Sequence, residues 1–237
     1  MALNDEAVSF DSPYYPYRRV INGNIMDGAE LIPYKILMYL LDLPDSAWYE
    51  PVDDNSRPRV KLAKYLWYDE ANPLANPLPT PAQKKSLLFD PYNPDINTDE
   101  DKVKHPKGYR LFMQHSVSES LLTAQTIIKI YPGRVLDPTI FRSVIGFQIE
   151  IWSNPDLITN TKTYQYDRIW DIECALRDSL NCVDIAGVGL IQFARNDGSF
   201  NGSELQYTNA GECGRVLYFS TAWMGGGSEP IGNFNSF

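Results

Sequence analysis

The chain has 237 residues, enough for one large domain with appendages, and 43% of them are hydrophobic, so a substantial core is available. Its formal net charge is −9, from 21 Lys and Arg against 30 Asp and Glu. That balance argues against a general nucleic-acid binder, which needs cations to replace phosphate counterions, but allows a surface that DNA slides past.

Residues 1–26 are polar and aromatic, with "SPYYPYRR" at their centre. They contain no apolar h-region, so no secretory leader is expected. Tyrosine and arginine supply contact area at low entropy cost. The segment is therefore expected to be an N-terminal arm, with Tyr14, Tyr15, Tyr17 and Arg18 as candidate interface contacts.

Residues 27–71 are expected to be a helical segment packing on the core. "DGAELIPYKILMYLLDL" has helical spacing, and Asp27 with Glu30 resembles a capping box. Pro33 would cost a hydrogen bond inside a helix, so the regular helix is expected to begin near it. A second short helix is expected in "RVKLAKYLWYD". The run "ILMYLLDL" is far shorter than the roughly 18 apolar residues of a membrane span, so no membrane association is expected.

Residues 72–108 are rich in proline and read as an extended insertion. Leu87, Leu88, Phe89 and Tyr92 give that stretch apolar anchors, which a solvated loop would not need. They are candidate interface residues of an arm that lies on a neighbour.

Residues 109–222 are expected to be the folded core. "YRLFMQHSV", "QTIIKIY" and "FRSVIGFQIEIW" read as strands, with "PGRVLDP" as a turn between the last two. In the third strand Phe141, Ile145, Phe147, Ile149 and Ile151 share one face, and Arg142, Gln148 and Glu150 the other. A helix follows, with Ile169, Ile172, Leu176 and Leu180 on one stripe and Asp167, Asp171 and Asp178 opposite. Glu173 and Arg177 form a supportive pair on its flank. Trp170 lies outside the apolar stripe, as a local packing cap or an interface anchor.

Two closing strands, "GVGLIQFA" and "RVLYFSTA", are separated by the Asn- and Gly-rich "RNDGSFNGSELQYTNAGECG". Residues 223–237 read as a flexible C-terminal tail, with Trp223 as a candidate contact. Helix, three strands, helix and two strands imply an α+β fold of two layers, a mostly antiparallel sheet packed on an amphipathic helix, with long irregular arms. The expected core is Phe147, Ile149 and Ile151 against Ile169, Ile172, Leu176 and Leu180.

Motifs for chemistry are sparse. Cys174, Cys182 and Cys213 form no C-x-x-C pair and read as thiols in a reducing compartment. His105 and His115 have no partner at ligand spacing, so no metal is expected. "GVGLIQ" lacks the third glycine of a dinucleotide fingerprint, and "DPYNPDINTDEDK" misplaces the glycine and glutamate of a calcium loop. No catalytic residues and no cofactor are expected.

The block "TIFRSVIGFQIEIWSNPDLI…YDRIWDIECALRDSL…GVGLIQFA…RVLYFS" resembles the tail-terminator and head–tail connector ring proteins of tailed bacteriophages, crAss-like phages among them. The likeness covers roughly residues 109–222 and carries no invariant motif. It implies a structural virion protein, assembled in the host cytoplasm, that forms a homo-oligomeric ring, a hexamer or dodecamer, in the neck or tail. Other neck, portal or tail proteins would be its neighbours and DNA a passing cargo. The proline-rich insertion and N-terminal arm depart from the small members of that family. Another virion adaptor, a minor capsid component, a small α+β enzyme and a binding module remain as alternatives.

Overall fold

A computed structural model describes residues 31–42, 52–70, 72–89, 108–113, 125–136, 143–154, 156–157, 168–193, 202–207 and 213–223. The fold is α+β: helices cover one face of a mixed, curled sheet.

The helical layer forms first along the chain. α1 (Ile32–Leu40) carries Pro33 in its first turn, where no intrahelical bond is lost. The Asp27–Glu30 capping pair lies outside the described residues, and Leu31 at the N-cap makes no side-chain cap. Ile32, Ile36, Leu37 and Leu40 form the buried stripe. Arg59 closes the other end. It bonds to Asp42 at 2.9 Å, donates to the Tyr39 carbonyl at 3.2 Å and lies 4.6 Å over the Tyr39 ring.

α2 (Pro58–Trp67) starts with proline at its first position and is buried from Leu62 through Trp67. A helix buried on every side sits between layers, and α2 packs on the helix Arg168–Leu180, the strand Thr126–Leu136 and the segment that follows it. That segment corrects the first half of the expected extended insertion. Pro73–Ala75 form a 3-10 turn, and Pro81–Ser86 form α3. Thr80 and Gln83 close a capping box around Pro81, with Thr80 N–H donating to Gln83 Oε1 at 2.8 Å. Residues 90–107 lie outside the described residues.

The sheet has the order β1-β2-β3-β7-β5-β4, with β6 also paired to β7. Its centre is three 11-residue strands: β2 (Thr126–Leu136), β3 (Ser143–Ser153) and β7 (Cys213–Trp223). β1 (Leu111–Phe112) pairs parallel to β2, and every other pair is antiparallel. β4 (Asp184–Ile185), β5 (Gly189–Phe193) and β6 (Ser203–Tyr207) complete the far side.

Four sequence expectations change here. The "PGRVLDP" turn is strand: β2 continues through Pro132 with a register shift before Val135. Proline is tolerated there because β1 pairs only at Ile128 and Lys129, so this stretch needs no donor on that side. The "YRLFMQHSV" strand shortens to Leu111–Phe112 within the described residues, and His115 lies outside them. The Asn- and Gly-rich connection contains β6, whose "SELQY" alternates against β7. β4 was also absent from the expected order; its two residues are too few to show a period.

Antiparallel partners share a face. Ile149 stands opposite Leu217 and Ile130, and Phe147 opposite Phe219. Phe147 and Phe219 stack at 5.6 Å. Phe147, Ile149, Ile151, Ile169, Ile172, Leu176 and Leu180 are all fully buried in one cluster with α1 and α2 residues. α4 (Arg168–Leu180) thus lies against the sheet by the stripe that its 3.6-residue period marks out.

Candidate functional site

Among the polar groups of the described residues, three differ in what they do.

The first ties the helical layer to the sheet. Arg168, at the start of α4, is buried, and among the described residues its bonds go to carbonyls and a hydroxyl, not to a carboxylate. Its Nη2 donates to the carbonyls of Tyr65 at 2.6 Å and Tyr68 at 2.7 Å, and its Nη1 to the carbonyl of Glu70 at 2.9 Å. Its Nε donates to Thr126 Oγ1 at 3.0 Å. The guanidinium therefore caps the orphaned carbonyls at the end of α2, where the helix dipole also favours a cation. Burial pulls its pKa down to about 10, with Asp69 opposing the shift. Beside it Arg110 grips Asp69 through two bonds of 2.7 and 2.9 Å. Tyr65 donates to Asp171 of α4 at 2.6 Å.

The second lies on the sheet face away from the helices. Tyr131 donates to Glu150, which also accepts from Trp152 Nε1 at 2.8 Å and lies 3.4 Å from Lys129 Nζ. Burial, and then the bond to Glu150, push the Tyr131 hydroxyl well above its ordinary range. The indole of Trp152 lies across Gly214, where any Cβ would fall 2.6 Å from the ring and 2.8 Å from the Ile151 carbonyl. This group is internally satisfied and holds the strands in register.

The third reaches the surface between α4 and the β6–β7 pair. Glu173 is 1% exposed and forms an ion pair with Arg215 of β7. Ser203 of β6 donates to Glu173 Oε1 at 2.9 Å, and Arg215 Nη2 donates to Ser203 Oγ at 2.9 Å. Arg177, the expected flank partner, is 3.7 Å from Glu173 and lies 4.7 Å over the Phe193 ring. Glu173 is thus a buried hub rather than half of a surface pair. The pair expected from helical spacing is present, and Arg215 of β7 is a further partner that helical spacing could not reveal.

Arg215 also lies 5.1 Å over the ring of Trp170 and stands opposite Leu205 in the β6–β7 ladder. Trp170 and Leu205 are 45% and 46% exposed. Two large apolar side chains are therefore held on either side of a rigid, hydrogen-bonded arginine. Leaving roughly half of an indole in water forgoes about 2 kcal/mol of burial. Exposed aromatic rings and arginines are enriched at the centres of protein interfaces.

The remaining candidate interface residues fare differently. Leu87 and Leu88 are corrected to core: both are buried, and Leu88 bridges to Leu111. Phe89 is half-buried, 5.3 Å from the Tyr109 ring and 5.6 Å from that of Phe112. These apolar residues have partners inside the subunit. Trp223 closes β7 opposite Ser143. Tyr14, Tyr15, Tyr17, Arg18 and Tyr92 lie outside the described residues. Leu205 and Arg215 were missed, although the period-2 alternation of "SELQY" was a usable signal for the first.

Among the described residues no three or more His, Cys, Asp and Glu side chains converge as metal ligands. No helix among them is long and apolar enough to cross a membrane. No protein-family model matches the chain, and no curated protein matches its sequence.

Proposed function

We propose that the chain is a structural subunit of a tailed-phage particle, forming a ring at the neck or tail end through which the genome passes. The resemblance of residues 109–222 to tail-terminator and connector ring proteins supports this reading. So does the acidic balance, since a lumen that repels phosphate does not trap passing DNA.

The observation that carries it is the surface of Trp170, Arg215 and Leu205. Its ordered polar groups, Glu173, Ser203 and Arg215, are paired with one another, and its apolar groups face outward. That distribution suits association with protein better than capture of a small polar molecule. The cost of holding the anchors in water is recovered when a neighbour covers them.

Native mass spectrometry of the purified chain, alone and mixed with candidate neck, portal and tail proteins, tests this reading. A single closed stoichiometry is expected in at least one of these mixtures. A monomer in all of them refutes the ring.

A further inference from the structure

We propose that the solvent stripe of α4, with Leu205 beside it, is the seat for residues 13–19 of a neighbouring copy. The inference rests on the ring reading above and supplies its contact.

The seat has a polarity along its length. Trp170, Cys174 and Asp178 recur at every fourth residue of α4 and share its outer side. Trp170 and Asp178 are exposed and Cys174 is half-buried. At 1.5 Å per residue the stripe runs about 12 Å from an apolar end to an anionic end. The other charges on this helix are engaged. Asp171 accepts from Tyr65, Glu173 is buried with Arg215, and Arg177 is drawn over Phe193. Asp178 is the acidic group left to face a ligand from this stripe.

The segment "PYYPYRR" (Pro13–Arg19) matches it end for end. Pro13 and Pro16 are three apart, the repeat of a polyproline II ridge, and such ridges dock on exposed aromatic rings. Two arginines follow and no acid is present. At about 3.1 Å per residue, Tyr15 to Arg19 spans about 12 Å. Tyr15 and Pro16 against Trp170 and Leu205 therefore bring Arg18 or Arg19 to Asp178. Twelve residues separate Arg19 from Ile32 in the sequence, a reach of up to about 40 Å, enough to leave one subunit for the next.

A photo-crosslinking residue at position 205 of the full chain tests this, using an equal mixture of isotopically heavy and light protein. Trp170 stays intact, and position 205 is already exposed. The expected product joins position 205 to residues 12–19, with mixed labels that report two copies. Asp178→Arg, on a chain whose melt is unchanged, should lower that yield severalfold. Adding Arg18→Asp and Arg19→Asp to the same chain should restore it. Products with one label only place the segment on its own subunit and overturn the proposal, as does an Asp178→Arg yield equal to the parent. If native mass spectrometry shows a closed assembly and no such product forms, the seat is wrong and the ring stands. Monomers throughout sink both.

Discussion

Single residues in this fold carry identifiable strain or burial costs, and two make direct predictions. Lys84 of α3 is 1% exposed, and its ammonium has no hydrogen-bond or ion-pair partner among the described residues. Burial lowers its pKa, opposed by Asp42 and reinforced by Arg59. A lysine whose folded pKa lies below its unfolded one is penalised at any pH below the folded value. The penalty fades as pH rises towards the ordinary lysine range, because the unfolded chain then holds the extra proton. Lys84→Met should therefore be neutral to about 2 kcal/mol more stable near pH 7, and its advantage should shrink in alkaline buffer. Denaturant melts at several pH values give the comparison; an advantage that grows with pH would contradict it. Cys182 follows α4 with φ of 62°, the left-handed region that glycine occupies without cost. Cys182→Gly should stabilise by about 0.5–1 kcal/mol in a thermal melt.

Elements are joined here by a few dense contacts, and those contacts set the consequences of substitution. Arg168→Met keeps apolar bulk but strands the carbonyls of Tyr65, Tyr68 and Glu70. A loss of about 3–5 kcal/mol is expected, with amide exchange accelerated first in α2. Exchange that rises uniformly across the molecule would show that Arg168 does not latch the helical layer. Ile149→Asp or Leu176→Asp buries a lone carboxylate between β3 and α4. Either should abolish soluble folding against a total stability of about 5–15 kcal/mol. β3 and α4 were legible because each repeats its own period over ten or more residues. α3 is legible in principle, since Thr80, Pro81 and Gln83 spell a capped start, but the proline density around it points to extension. β1 and β4 run two residues each, too few to show a period, so local pattern could neither size the first nor locate the second, whereas β6 carries a legible alternation in five residues. Trp170 was singled out by its place off the apolar stripe. Arg215, 45 residues away in sequence, joins it only through the sheet.

At the scale of the whole molecule, α1, α2, the residues around Leu87 and the sheet share one apolar cluster. The helical segment and the first half of the insertion are thus part of the subunit body. Replacing residues 76–90 with a short Gly/Ser linker removes Leu87 and Leu88 from that cluster, so the melting temperature should fall sharply. An unchanged melt would return this stretch to the role of an arm. The body presents two exposed apolar side chains, Trp170 and Leu205, where α4 meets β6. The central claim is that this body closes into a ring, and electron-microscope class averages of the purified assembly address it most directly. The account predicts closed annuli of one copy number, with an opening wide enough for duplex DNA, and their loss in Trp170→Ala with Leu205→Ser. Open chains, solid particles or annuli indifferent to that double substitution would contradict it.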